Sequence, residues 1–410
     1  MINLNKHREK YINEKALDIL ILIKEMPPIE PNFDPLKGNK GEIPIIDIRE
    51  KQIKAPIRFS SVTITGNPIN IIEEFEDKTY GLDENSYNEF KNLVISILEE
   101  KTISRNISKA FATSKSLDWL FGKYRKEVNI SFIDYLLPIL KESIKDYKFT
   151  FRVLYLDIEA TVNIGNCKIH YLIEKELQEQ EIEFLNRYPN RKEDNSYQFL
   201  KKEFLGVSLI STISKGEYKN AKENAFKECS ISIDTIKLCS ITTSNPEFKL
   251  FFDIDKRVKF NSNNTSLSSP KEDNINLSFT ISGGKQNYDL NPKEWESMIQ
   301  LQIGQFHKFL KIRHKHNTDL CHLIQNSISL YAESITLLDL HKRTVSLFTI
   351  LESLLLKSED IPIVDSISKY LPHLVVKEAS DRKDVISVVK KLYRVRSGMI
   401  HHAKKRKLKI

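Results

Sequence analysis

The chain has 410 residues, enough for two or three domains with sizeable cores. Its 63 basic residues outnumber 55 acidic ones only slightly, so a net charge of +8 leans toward polyanionic partners while most charge balances locally. With 12 glycines, a glycine-rich, phosphate-cradling α/β enzyme is disfavoured.

Residues 5–26 have the spacing of an amphipathic helix, which the prolines of "MPPIEP" should end. The run "ALDILILI" at 16–23 is too short to span a bilayer, and no leader-cleavage pattern follows it. A cytoplasmic protein with no membrane partner is therefore expected. Residues 27–67 read as irregular, with one extended piece at "RFSSVTITG". From 84 to 147, "FKNLVISILEE" and "FIDYLLPILKESI" repeat at three and four residues, and Pro138 should start or kink a helix.

Near residue 149 the texture changes. "FTFRVLYLDIEATVNIGNCKIHYLI" is β-branched and aromatic and predicts two or three strands. A charged helix is expected over 173–204. Another follows over 218–239, with Ala221, Ala225, Phe226, Ile233 and Ile236 on one face. Strands resume at "FKLFFDI" and "INLSFTI", and "NSNNTSLSSPKEDN" between them reads as a polar loop. A sheet from 149–172 and 245–282 should therefore carry the 218–239 helix. After 292 every segment is helical: "WESMIQLQIGQFHKFLKI", "LCHLIQNSISLYAESI", "LHKRTVSLFTILESLLL", "IVDSISKYL" and "RKDVISVVKKLYRVRSGMI" each carry an apolar stripe. Leu347, Ile350, Leu351, Leu354 and Leu355 should face the core of a helical bundle. The fold class is thus α+β. A mainly helical region spans 1–147, an α+β region with a mostly antiparallel sheet spans 148–291, and an all-α bundle spans 292–410.

Three arrangements invite chemistry and then fail. Asp157 and Glu159 in "YLDIEAT" could share a divalent ion, but no further acidic set accompanies them. "ISGGKQ" at 281–286 lacks the earlier glycine and the hydroxyl residue of a P-loop. His307, His314, His316 and His322 match no metal-ligand spacing and sit among lysines and arginines, with no supporting carboxylate. Cys167, Cys229, Cys239 and Cys321 are scattered, with no Cys-x-x-Cys pair, and are expected reduced. Neither a metal nor a cofactor is expected.

The stretch "KKLYRVRSGMIHHAKK" at 390–405 is different. It resembles the "lY-x-x-R-S-x-x-x-H-G" signature of Apea-like HEPN domains, members of the HEPN ribonuclease superfamily. The likeness extends upstream, where "IQNSISLYAESITLLDLHKRTVSLFTILESLLL" is similar to that family's tyrosine-bearing helix followed by a helix with "LE-x-L-L". It covers about 110 residues, from near 300 onward. The resemblance implies an HEPN fold, with Arg396 and His401 as the catalytic pair of a metal-independent endoribonuclease. Ser397 takes the polar position after the arginine, and Glu352 falls on the family's glutamate. His402 stands where glycine is common. Two such motifs meeting across a homodimer cut RNA in that superfamily. Defence against phage or a toxin-like role is its habit, and the N-terminal regions would sense a protein or nucleic-acid trigger. Members usually continue with a further helix, where this chain runs into "AKKRKLKI". Lys404, Lys405, Arg406 and Lys407 there are candidate RNA-phosphate contacts.

From the residues alone, Arg396 and His401 should emerge together where their helix ends. A non-catalytic RNA-binding or protein-interaction module stays open as the alternative. So does a helix-capping arginine beside an exposed basic tail.

Overall fold

The computed structural model describes residues 4–26, 57–60, 69–75, 78–171, 174–175, 178, 201, 204–240, 250–255, 265–268, 276–279, 287–316, 318–337, 339–356 and 362–402. The fold is α+β, with antiparallel sheets and a helical C-terminal region. The chain divides into two compact units, Met1–Tyr147 with Ser214–Glu223, and Lys148–Ile213 with Asn224–Ile410.

Among the described residues the first unit holds five helices: α1 Lys6–Ile21, α2 Glu84–Leu98, α3 Lys101–Ser104, α4 Lys109–Tyr124 and α5 Phe132–Ser143. A small antiparallel sheet of β1 Lys24–Glu25, β2 Ile57–Phe59, β3 Ile71–Phe75 and β4 Lys78–Leu82 runs in the order β1-β4-β3-β2. Helix starts follow from capping chemistry. The side chains of Asn5, Asp83, Ser108 and Ser131 each accept a hydrogen bond from a backbone N–H three residues on. The core gathers Phe90, Trp119, Phe121, Phe132 and Leu136, all fully buried. Pro138 lies inside α5 and starts nothing, which corrects one branch of the expectation.

Within this core sits an ionic network. The Glu73 carboxylate on β3, with no side-chain exposure, takes Arg58 Nε at 2.7 Å and also pairs with Arg125 Nη1. The Tyr80 hydroxyl reaches Glu73 Oε1 at 3.3 Å, and Arg58 Nη1 also bonds Asp118 Oδ1 at 2.6 Å.

A second carboxylate, Glu217, is also buried in this unit. It accepts from Lys219 N at 2.9 Å and Asn220 N at 3.3 Å, which begin α6 Tyr218–Cys239. Burial opposes its charge, but the hydrogen bonds from Lys219, Ser108 and Asn220 outweigh that and hold the carboxyl below its ordinary range. Its contribution to stability is therefore present above the unfolded glutamate pKa of about 4.3 and is lost as pH falls through the lower folded value. Glu217→Ala is expected to cost about 1 kcal/mol at neutral pH. The deficit relative to wild type should shrink on acidification below about pH 4, as read by urea unfolding at several pH values.

The second unit is built on a five-stranded sheet in the order β10-β5-β9-β8-β7. Its strands are β5 Lys145–Leu154, β7 Val162–Ile164, β8 Cys167–Tyr171, β9 Ser208–Gly216 and β10 Asp253–Ile254. The pairs β7–β8, β8–β9 and β5–β10 are antiparallel. β6 Leu156–Ile158 pairs in parallel with β13 Tyr288–Leu290, placing Asp157 opposite Asp289. The strand β9 corrects the sequence reading, which passed over it. "TSLS", read as loop, is β11 Thr265–Ser268 and pairs antiparallel with β12 Asn276–Phe279. Among the described residues that hairpin pairs only with itself, not with the main sheet. The expected 173–204 helix and "ISGGKQ" lie mostly or wholly outside the described residues.

Helix α6 packs its Ile231, Ile233 and Ile236 into one core with Ile164, Ile169 and Ile210 of the sheet. There Cys167 and Cys229 bring their Sγ atoms to 3.8 Å, both buried and unbridged.

The C-terminal helices are α7 Pro292–Gln300, α8 Ile303–Ile312, α9 Asp319–Ser334, α10 Leu340–Leu355, α11 Ile363–Val375 and α12 Arg382–His402. They do not share one core. Met298, Ile303, Leu310 and Ile328 of α7–α9 join the sheet's core. α10–α12 instead gather around Phe348, Ile367 and Val389. Of the five residues expected inward on α10, Ile350 is buried, and Leu351 and Leu355 pack on this cluster. Leu354 is instead 43% exposed, because Phe348 and Leu355 take the inward positions two turns apart. No described helix is long and apolar enough to cross a membrane.

Candidate active site

Two helices make the site. On α12, Val385, Val389, Leu392 and Tyr393 recur at three- and four-residue intervals and pack on α10 and α11. Arg396 continues that stripe three residues after Tyr393. On α10, Phe348 and Glu352 are one turn apart and meet the α12 stripe in two consecutive steps. First, the rings of Phe348 and Tyr393 meet edge to face at 5.7 Å between centroids. One turn on, Arg396 Nη2 donates to Glu352 Oε2 at 3.0 Å and lies 2.9 Å from Oε1. The order of these two contacts means that α10 and α12 run in the same sense.

The pair is largely removed from water, with side-chain exposures of 13% for Arg396 and 17% for Glu352. Arg396 also lies over the Tyr393 ring, 5.7 Å from its centroid. Within this pair two buried atoms lack a hydrogen-bond partner: Arg396 Nε, and Glu352 Oε1, whose approach to Nη2 lacks hydrogen-bond geometry. The Nε–H is itself buried, so Arg396 must shift before it can donate to an anionic oxygen.

Ser397 is half-buried beside this pair. His401 and His402 close α12, and only their backbone positions are described. The helix runs on through both, so the arginine and histidine do not emerge together at its end as expected. Five residues of α-helix turn the chain through about 140° net, placing positions 396 and 401 on different sides of one helix. Lys404, Lys405, Arg406 and Lys407 lie outside the described residues.

The rejected arrangements can now be placed. Asp157 on β6 accepts from the Tyr171 hydroxyl at 3.2 Å and from Asn287 Nδ2 at 2.8 Å. Of the four histidines, His314 does have a carboxylate, contrary to expectation. Its Nε2 lies 2.9 Å from Glu228 Oε2, and the same oxygen takes Arg313 Nη2 at 2.5 Å. Glu228 lies on α6, 86 residues from His314, so no local pattern could have revealed it. Burial disfavours the Glu228 carboxylate, but His314 and Arg313 more than offset this and hold its pKa down. Among the described residues no three His, Cys, Asp or Glu side chains are grouped to hold a metal.

Of the two rings that seat the arginine, Tyr393 is the tyrosine of the quoted signature but was given no role, and Phe348 was not singled out from the sequence. Their signal was available as aromatic residues one turn before Arg396 and Glu352 on converging stripes. Comparison of the chain with protein-family models, with curated proteins and with solved structures gave no match.

Proposed function

We propose that α10–α12 carry the site of an HEPN-type, metal-independent endoribonuclease. The observation that carries this reading is the Glu352–Arg396 pair: a desolvated guanidinium with a free Nε, held in place from a second helix, five residues before a histidine. His401 takes the proton of a ribose 2′-hydroxyl, whose oxygen attacks the adjacent phosphorus. The P–O5′ bond breaks and the leaving oxygen gains a proton. The products are a 2′,3′-cyclic phosphate and a 5′-hydroxyl, with no water consumed in this step. Arg396 offers its donors to the charge that grows on the non-bridging oxygens.

Because positions 396 and 401 lie on different sides of one helix, a complete site needs groups from two chains, and we take the working species to be a homodimer through this region. The same reading places the protein in the cytoplasm with RNA as its partner. Lysines and Arg406 of the tail contact phosphates, the N-terminal regions sense a trigger, and the role is in phage defence or as a toxin.

The test is incubation of purified protein with total RNA in excess EDTA, followed by end-group analysis. Cleavage in chelator leaving 2′,3′-cyclic phosphate and 5′-hydroxyl ends is expected. Cleavage that stops in EDTA, or that leaves 5′-phosphates, rules the mechanism out. A folded dimer that binds RNA and never cuts it assigns the domain to the non-catalytic interaction class, for which an arginine already paired with its own glutamate is equally suited.

A further inference from the structure

Away from Arg396, the second unit has an exposed feature that the nuclease reading leaves unused. Trp295 on α7 is half-buried, with its inner edge on the sheet's core. A recess opens on either side of it. One, of 380 Å³, is lined by Thr161, Asn163 and Asn291 among others. The second, of 460 Å³, brings Gln302, Gln305, His307 and Lys308 of the α7–α8 corner and α8 together with Asn163. Trp295 and Asn163 line both recesses.

The corner between the helices is built in an unusual way. Gln302, the residue before α8, has φ 65° and ψ 27°, a left-handed conformation that side-chain-bearing residues seldom adopt. The chain can thereby reverse within two residues, and α7 and α8 line one recess from two sides. His307 hydrogen-bonds the Asn163 backbone and fixes α8 to β7 at the recess floor. Burial, aided by Lys311, holds its ring's pKa below the ordinary imidazole value.

The lining chemistry selects the occupant. An indole with open space beside it offers a flat stacking surface to another planar ring. Three amide side chains, Asn163, Gln302 and Gln305, each present both donors and acceptors, as the edge of a nucleobase requires, whereas the Asn291 amide is taken up by Glu294 N and Asp289. Lys308 supplies an exposed cation, and no carboxylate lines either recess among the described residues. That balance suits an anionic ligand. We infer that the Trp295 groove is a nucleotide-binding site, stacking a base on the indole and holding its phosphate at Lys308. A free nucleotide and a nucleotide within a single RNA strand share this chemistry. The site does not depend on Arg396 or His401, so it goes beyond the nuclease reading and stands or falls separately.

The tryptophan content makes the test direct. The chain has two tryptophans, and Trp119 is 1% exposed with its indole N–H bonded to the Ile130 carbonyl at 3.2 Å. Ligand quenching of fluorescence therefore reports on Trp295. The full chain is titrated with AMP in one arm and with a short 2′-O-methyl single strand, which cannot be cleaved, in the other. Saturable quenching in either arm is expected, and it should vanish in Trp295→Phe, which keeps an aromatic ring in the core but leaves only Trp119 emitting. Quenching by AMP identifies a free-nucleotide site, and quenching by the strand alone identifies a strand-binding site. Lys308→Glu, at an exposed position, should weaken binding by roughly tenfold or more and reduce its salt dependence. Absence of saturable quenching in both arms, in protein with a wild-type circular dichroism spectrum, overturns the inference. Unaltered affinity in Lys308→Glu overturns the placing of the phosphate.

Discussion

His401→Ala protein is expected to leave RNA uncut under conditions in which wild type degrades it, with RNA binding retained. A positioned general base contributes a factor of roughly 10²–10⁴, so its loss should reduce cleavage to background over an ordinary incubation. His402 follows directly and could substitute, so the His401/His402 double replacement must accompany the single one. Cleavage that survives in the double variant removes histidine from the mechanism. Arg396 needs a different design. Truncating it alone strands Glu352, a mostly buried carboxylate, and a folding defect would then mimic a catalytic one. Arg396→Ala combined with Glu352→Gln avoids the stranded charge. This protein should keep the wild-type melting temperature to within a few degrees and lose cleavage. Retained cleavage in that folded double variant would exclude Arg396 from the chemistry.

The second large effect concerns the first unit. Glu73 has no exposed side-chain surface and pairs with both Arg58 and Arg125, which are themselves only 23% and 13% exposed. Each guanidinium is also seated against a ring, Arg58 over Phe121 and Arg125 over Phe75. Glu73→Ala removes the shared buried acceptor and leaves Arg58 with Asp118 alone and Arg125 with the half-exposed Glu127 alone. Breaking a buried ion pair from one side costs about 3–5 kcal/mol, a large part of the 5–15 kcal/mol that typically holds a domain together. The melting temperature of the first unit should fall by about 10 °C. Lys10→Ala is the control, because the Lys10–Glu14 pair is 77% and 62% exposed and should be nearly silent. Equal effects of the two substitutions would show that Glu73 is not the centre of that network.

How much of this was legible in the sequence depends on how far each feature is local. Helices with one wet face announced themselves by spacing, and Ser108, Ser131 and Asn291 mark their starts by side-chain capping. β9 was passed over for a physical reason. Ser208–Thr212 are all buried, so the strand has no alternation of apolar and polar residues to betray it. β11 is the opposite case, a strand made of serine, threonine and one leucine whose pairing comes only from its partner. The division of the C-terminal helices between two cores was likewise invisible, since each stripe records that a face is buried but not against what. At the site, Arg396 and Glu352 were both picked out by resemblance. Their contact spans 44 residues and exists only because Phe348 and Tyr393 set the register of their helices.

That register rests on a slender support. Ile233, Ile236, Phe252 and many others pin the sheet of the second unit, whereas α10–α12 are gathered around Phe348, Ile367 and Val389, with Leu374, Val375 and Val388 left in water. Segments with few buried apolar contacts open at a lower free energy than the whole fold. The helices that seat Arg396 against Glu352 are therefore expected to open before the sheet core does. Mild warming or dilute denaturant would part the arginine from its glutamate while the sheet beneath stayed intact.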